Sequence, residues 1–182
     1  MKWTKMTICI SLGILLLTLI GCSKVSVSEN VSYKVVYQYG DISFSEELTA
    51  EEVKNTLEKA KNDNLSSENT EIAFFGGSFT AIDRSYMISL LETAKPFIEN
   101  KVFSGIRIST RPDAIDEEVL LLLKKYGVTA IELGAQSMND EVLLFNRRGH
   151  TVDDVVNASL LIKKHGFSLG LQMMTGLYKS TR

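Results

Sequence analysis

Short apolar runs alternate with helical periods along most of the chain. The runs are rich in β-branched and aromatic residues and predict strands at residues 33–39, 72–75, 106–109, 130–133 and 168–174. Between them, apolar residues recur at helical spacing, as in Met87, Leu90, Leu91, Ala94 and Ile98. Strands that alternate with helices form βαβ units, so the pattern predicts a parallel α/β sheet or barrel. Its ligand site is expected at the carboxyl ends of the strands.

Capping residues mark the ends of the predicted helices. Thr49 and Glu52 form a capping-box sequence, in which the two residues exchange hydrogen bonds at a helix start. Thr151 is expected to cap the last helix in the same way. Gly166 follows that helix and is expected to end it, because glycine readily adopts the left-handed conformation that a helix end requires.

The first 22 residues have the sequence of an export signal. Residues 1–5 contain two lysines, and residues 6–20 form an uncharged apolar run. The run is shorter than the roughly 20 apolar residues of a membrane span. It closes on Leu-Ile-Gly-Cys22, which resembles the lipobox of bacterial lipoproteins, where the signal is cut before a cysteine that becomes lipidated. We therefore expect Cys22 to be lipidated and the protein to be a membrane-anchored lipoprotein on the exported side. The alternative is a buried apolar strand or helix, and a cytoplasmic protein.

Length and composition fit one domain behind this leader. The chain has 182 residues, of which 45% are hydrophobic, enough for a real core. We expect a lipoprotein-type signal peptide at residues 1–21, a polar tether at 22–32 and the α/β domain at 33–182. The formal net charge of −2 becomes −4 without Lys2 and Lys5. Because no Lys/Arg run is present, charge does not indicate a nucleic-acid partner.

Cysteine is confined to the amino-terminal segment. Cys9 and Cys22 are the two cysteines of the sequence, and their spacing matches no zinc or redox motif. The remainder of the chain therefore has neither a disulfide framework nor a cysteine nucleophile.

Four polar or glycine-rich motifs lie at or beyond the ends of the predicted elements. They are Gly-Gly-Ser-Phe-Thr at 76–80, Ser-Thr-Arg-Pro-Asp at 109–113, Glu-Leu-Gly-Ala-Gln-Ser at 132–137 and Asn-Arg-Arg-Gly-His at 146–150. Paired glycines let a ligand approach the backbone, and arginines can hold a carboxylate bidentately. Each motif alone is also compatible with an ordinary turn. Glu132 in particular could pair structurally with Arg107 or Arg111.

In this order, and together with Leu-Gly-Leu-Gln-Met-Met-Thr-Gly-Leu at 169–177, the motifs resemble the radical S-adenosylmethionine (radical-SAM) family. The similarity is greatest to the radical-SAM module of the Elongator catalytic subunit and its bacterial homologues. Oxygen-independent coproporphyrinogen oxidases are more distant. The resemblance covers about residues 48–177 and implies an incomplete (β/α) barrel of four or five parallel strands. It also implies S-adenosylmethionine-dependent radical chemistry, with RNA modification as one such activity.

The resemblance implies a set of contacts to S-adenosylmethionine, namely Gly76, Gly77, Ser78, Ser109, Gln136 and Arg148. The glycine motif would receive the amino group of the cofactor, and Arg148 would pair with its methionine carboxylate, a role that suits a guanidinium. His150 and His165 are interpreted as structural, the latter at a helix carboxyl terminus where the dipole favours it.

The cluster motif of the family is absent. The family binds a 4Fe–4S cluster through a C-x3-C-x2-C loop after its first strand, and the open iron chelates the cofactor. The matching residues 37–47 read Tyr-Gln-Tyr-Gly-Asp-Ile-Ser-Phe-Ser-Glu-Glu, whose oxygen ligands are too hard to replace thiolates. We therefore expect no catalytic or metal residues, weak or lost S-adenosylmethionine binding and an inactive protein. The glycine-rich continuation after Leu177 is also absent, so no sixth strand is expected. The alternative is a non-catalytic, membrane-anchored lipoprotein with a degenerate barrel.

Overall fold

A single parallel sheet with helices between its strands organises the molecule. The computed structural model describes residues 6–11, 48–63, 70–75 and 77–180, with backbone alone for 6–11. The strands are Met6–Ser11 (β1), Thr70–Phe75 (β2), Ile106–Thr110 (β3), Val128–Gln136 (β4) and Ser168–Met173 (β5). The helices are Ala50–Asn62 (α1), Arg84–Glu99 (α2), Glu117–Lys125 (α3), Asp140–Phe145 (α4) and Val152–Lys164 (α5).

The strands lie in sequence order, β1-β2-β3-β4-β5, and every neighbouring pair is parallel. Within the described residues β1 and β5 each have one strand neighbour, so the sheet is open. The predicted fold class, an α/β incomplete barrel of four or five parallel strands, is confirmed.

The first strand comes from a segment that the sequence assigns to an export signal. Met6 pairs with Thr70 and Ser11 with Phe75, which places β1 at the edge of the sheet beside β2. The strand expected at residues 33–39 lies outside the described residues. An apolar run of this kind suits a buried parallel strand as well as a signal, because both need uncharged side chains.

Helix ends follow the local signals in the sequence. Thr49 and Glu52 form a complete capping box at α1, and Thr151 forms one with Asp154 at α5. Gly166 follows α5 in the left-handed conformation, with φ +81°. These caps satisfy amide groups that have no partner inside the helix.

One face of the sheet is apolar and forms the core. Ile72 and Phe74 of β2 and Ile108 of β3 are fully buried in a cluster that includes residues of α1, α2, α3 and α5. The Phe74 ring stacks on that of Phe79, with a centroid separation of 4.9 Å. Burial of each such side chain contributes roughly 1.5–3 kcal/mol, so this face supplies most of the stability.

The opposite face carries charge. Nε of Arg107 donates to Glu71 at 2.8 Å, and its Nη1 donates to Glu132 at 2.5 Å, which joins β2, β3 and β4. Glu71 is only 4% exposed. The hydrogen bond to Glu71 is the largest of the causes that raise the pKa of Arg107 above its ordinary value. A side chain on Gly170, the β5 partner of Glu132, would overlap the Glu132 carboxylate.

We expect Arg107→Ala to lower the free energy of unfolding by about 3–5 kcal/mol, because it leaves carboxylates on this face without their cation. Urea denaturation measures the change. Arg84→Ala is the control, since Arg84 pairs with Glu118 on the surface, where a salt bridge contributes less than about 1 kcal/mol. Equal losses in the two variants would show that Arg107 does not support the sheet.

Candidate cofactor-binding site

A polar pocket lies at the carboxyl ends of β2, β3 and β4. Its volume is about 490 Å³, within the range of about 300–1,000 Å³ that is typical of small-molecule sites. It is lined by Phe75, Gly77, Ser78, Ser109, Thr110, Arg111, Gly134, Gln136, Arg148, His150 and Gln172.

Most of the residues expected to contact S-adenosylmethionine meet in this pocket. They are Gly77, Ser78, Ser109, Gln136 and Arg148. Residues far apart in sequence converge here because the strands are parallel and their carboxyl ends share one edge. Gly76 and Cys22 lie outside the residues whose side-chain surroundings the structure describes.

The end of β4 is distorted where it enters the pocket. The β4–β5 register shifts between Leu133 and Gln136, and Gln136 has a left-handed backbone with φ +64°. A Cβ at Gly134 would lie 2.9 Å from Nε2 of Gln136, so glycine leaves room for the glutamine side chain. A non-glycine residue in this conformation costs on the order of 1–3 kcal/mol, and such strain clusters at functional sites.

Arg148 is placed by the turn that ends α4. The amide of Arg148 donates to Leu143 O and that of Arg147 to Leu144 O, both at 3.0 Å, as in a Schellman motif. Arg147 takes the left-handed position of this motif with φ +50°. The Nε of Arg148 is buried without a hydrogen-bond partner among the described residues. Because buried donors are nearly always paired, a ligand group or an ordered water that accepted from this atom would satisfy it.

The segment after β5 is fastened to the same turn. Asn146 Nδ2 donates to Tyr178 O at 2.9 Å, and Tyr178 N donates back to Asn146 Oδ1 at 3.1 Å. Lys179 forms an ion pair with Glu141 at 2.7 Å and lies 3.6 Å from the centre of the Phe145 ring. These contacts hold the carboxyl end of α4, and with it the backbone that leads to Arg148.

On the β3 side of the pocket, the polar side chains form hydrogen bonds and an ion pair with neighbouring residues of the protein. Thr80 Oγ1 lies 2.6 Å from Thr110 Oγ1 and donates to Ala114 O at 2.6 Å. Arg111 forms a two-point ion pair with Asp113. This contact is the main cause that lowers the pKa of Asp113 and raises that of Arg111. The structure thus pairs Glu132 with Arg107 and Arg111 with Asp113, which decides between the two partners that the sequence left open for Glu132.

His150 lines the pocket, although the sequence suggested a structural role. Its ring is buried, with 8% exposure, and Nε2 lies 3.1 Å from Ala135 O. That bond is structural, but Nδ1 is buried and has no partner among the described residues. His165 caps α5, as expected.

Several other lining residues were not among the predicted contacts to the cofactor, although all but Phe75 lie in the sequence motifs; they are Phe75, Thr110, Arg111, Gly134 and Gln172. Strand periodicity would have found some of them. Gly134 precedes Gln136 by two positions, and alternate residues of a strand lie on the same face.

The donor set does not fit a 4Fe–4S cluster. Among the residues that the structure describes, no three His, Cys, Asp or Glu side chains group as metal ligands. No cysteine follows Cys22 in the sequence. In the same described ranges, no helix is both long and apolar enough to span a bilayer.

Comparison with known proteins identifies the family. Residues 32–182 match the model of the Radical SAM superfamily. The chain is 29% identical over 143 residues to tRNA uridine(34) acetyltransferase of Methanocaldococcus jannaschii, a match that covers 69% of this chain and 26% of that protein. It is 30% identical over 143 residues to Elongator complex protein 3 of Homo sapiens, with the same coverage of 69% and 26%. The chain therefore spans about a quarter of the length of these relatives.

Comparison with solved structures gives the same fold. The archaeal Methanocaldococcus infernus Elp3 superposes with a TM-score of 0.59 at 25% identity, over 72% of this chain and 35% of that one. Coproporphyrinogen III oxidase of Escherichia coli gives 0.52 at 20% identity, over 72% and 32%, and supports the fold alone. The chain, with its partial barrel and a pocket at the strand ends, belongs to the radical SAM superfamily.

Proposed function

We propose that this chain is an Elongator-like radical-SAM core that binds S-adenosylmethionine weakly and does not itself carry out radical chemistry. The observation that carries the proposal is the convergence of Ser109, Gln136 and Arg148 in one polar pocket, with the Nε of Arg148 unpartnered. Relatives are named for tRNA uridine 34, and we infer that the core descends from an RNA-modifying enzyme.

The pocket suits the organic part of the cofactor. Arg148 offers a guanidinium for the methionine carboxylate, and such charge-assisted bonds are the strongest polar contacts available here. Ser109 and Gln136 offer a hydroxyl and an amide, and Gly77 lets the ligand approach the backbone. The cofactor supplies an adenosyl group for radical chemistry only when a reduced cluster is bound to it, and the residues of this chain do not provide that cluster.

Affinity is expected to be low. Without an iron to chelate the amino acid end, binding depends on hydrogen bonds worth about 0.5–1.5 kcal/mol each, which must offset the cost of ordering ligand and pocket. The β5 side is open to water, since Leu171 is 49% and Met173 53% exposed. We therefore expect dissociation constants in the millimolar range.

Titration of the full-length protein with S-adenosylmethionine, followed by NMR, tests this affinity. Arg148→Ala should weaken binding by about tenfold or more, because it removes a charge-assisted hydrogen bond. Arg147→Gly is the matched control, since it removes the neighbouring charge while glycine keeps the left-handed turn. Binding that Arg148→Ala leaves unchanged would exclude the proposed site, and micromolar binding would contradict the expected weakness.

Anaerobic reconstitution with iron and sulfide should leave the protein without a stoichiometric 4Fe–4S cluster. Addition of dithionite and S-adenosylmethionine should give no 5′-deoxyadenosine, because the sequence from residue 23 onward offers no thiolate ligand. Iron and sulfide analysis with product chromatography measures both. A stoichiometric cluster in a Cys9→Ser/Cys22→Ser variant would overturn this expectation.

The second candidate function is that of a membrane-anchored, non-catalytic lipoprotein. Leu-Ile-Gly-Cys22 at the end of an apolar run favours it. A lipoprotein loses the residues before its lipidated cysteine, whereas the fold uses Met6–Ser11 as strand β1. Cleavage before Cys22 would remove β1, which pairs with β2 along its whole length, and would leave β2 as an edge strand.

Expression in a bacterium separates the two outcomes. For a lipoprotein, the chain should partition into detergent, begin at Cys22 and carry a lipid mass. Cys22→Ser should abolish these properties and Cys9→Ser should not. Phase partitioning and mass spectrometry of the amino-terminal peptide provide the measurement. An intact amino terminus beginning at Met1, with no added lipid, would instead favour β1 as a permanent strand.

A further inference from the structure

His150, which lines the pocket, has a ring nitrogen without a hydrogen-bond partner among the described residues. Its Nε2 lies 3.1 Å from Ala135 O, and a carbonyl oxygen can only accept. In the neutral form of the ring, the proton is therefore on Nε2 and Nδ1 carries a lone pair. Nδ1 is buried and unpartnered among the described residues, while the residue as a whole is 8% exposed. A buried polar atom without a partner is costly, so the site is built for a group that is not part of the chain.

An unused donor lies two residues away. The Nε of Arg148 is likewise buried without a partner in the described part of the chain, and both residues line the same pocket. The other arginine of the pocket, Arg111, is already paired with Asp113. Residues 148–150 therefore carry one unpartnered guanidinium donor and, in the neutral form of His150, one unpartnered acceptor.

We propose that His150 is a ligand-binding residue whose Nδ1 accepts a hydrogen bond from the α-ammonium group of an amino-acid-bearing ligand. Arg148 holds the carboxylate of the same ligand. The proposal rests on the proposed function and deepens it. An amino group that is not coordinated to iron remains an ammonium with three donors, each of which needs an acceptor. His150 supplies one, and the pocket thereby selects a zwitterionic amino acid end.

Two substitutions separate this role from a structural one. In His150→Gln the longer amide reaches the position of Nε2 and can still donate to Ala135 O, but the Nδ1 acceptor is lost. In His150→Asn the shorter amide reaches the position of Nδ1 and can accept from a ligand, but the bond to Ala135 is lost. A structural histidine predicts that only the second variant is impaired, whereas a ligand-binding histidine predicts weaker binding in the first.

The probes are S-adenosylmethionine and 5′-methylthioadenosine, which lacks the amino acid end, both titrated by NMR. His150→Gln should bind S-adenosylmethionine about three- to tenfold more weakly than the wild type, as expected for one hydrogen bond. It should bind methylthioadenosine unchanged. His150→Asn should keep its affinity for S-adenosylmethionine and unfold at a lower temperature. In the wild type, the ¹⁵N resonance of His150 Nδ1 should move on addition of S-adenosylmethionine, which decides the matter should His150→Gln not fold.

Other outcomes overturn the inference in distinguishable ways. If His150→Gln binds like the wild type while Arg148→Ala does not, the proposed function stands and the role of His150 is wrong. If His150→Gln weakens both probes equally, the ring only supports the pocket. If the wild type binds neither probe, the proposed function itself fails and this role fails with it.

Discussion

The contacts of Arg107 with Glu71 and Glu132 are the constraint on which the site depends. Successive residues of a strand lie on opposite faces, so a slip of one residue would carry this arginine into the apolar core. The ion pairs therefore fix which side of β2, β3 and β4 is polar. Ser109, two residues beyond Arg107 on β3, then lies on the same side and enters the pocket. The ion pairs of Arg107 thus determine which side chains of these strands line the pocket.

The pocket contains a strained backbone and unpartnered polar atoms, whereas the starts of two helices are fully hydrogen-bonded. The starts of α1 and α5 have complete capping boxes. At the pocket, by contrast, Gln136 has a left-handed backbone, and Arg148 and His150 each leave a buried nitrogen unpartnered. Natural proteins depart from local consistency mainly where function requires it. Two of the four buried, unpartnered side-chain atoms of the described residues belong to this pocket, together with the strained Gln136, and this combination supports a ligand site there.

The sequence allowed strands β2 to β5 and part of the pocket to be predicted, for identifiable reasons. Strands β2 to β5 are marked by apolar and β-branched runs, and the motifs at their ends contain Ser109 and Gln136, which line the pocket. Helix α4 was not predicted, since it is short and its left-handed terminal residue is Arg147 rather than glycine. Strand β1 lies in a segment for which a buried apolar strand or helix was only the alternative to an export signal. An uncharged apolar run satisfies a signal peptide and a buried strand equally, and only pairing with β2 distinguishes them.

Without the cysteine motif of the family, the amino acid end of the cofactor would have to be recognised by other residues of the pocket. In the family, the amino acid end of the cofactor is bound to iron, and the protein need only orient it. In the binding mode proposed for this chain, side chains recognise the same end, and the unpartnered nitrogen atoms of Arg148 and His150 have the complementary chemistry. Such a site can distinguish ligands that carry an amino acid group from those that do not. In the proposed binding mode, the carboxylate and the ammonium are held by hydrogen bonds alone.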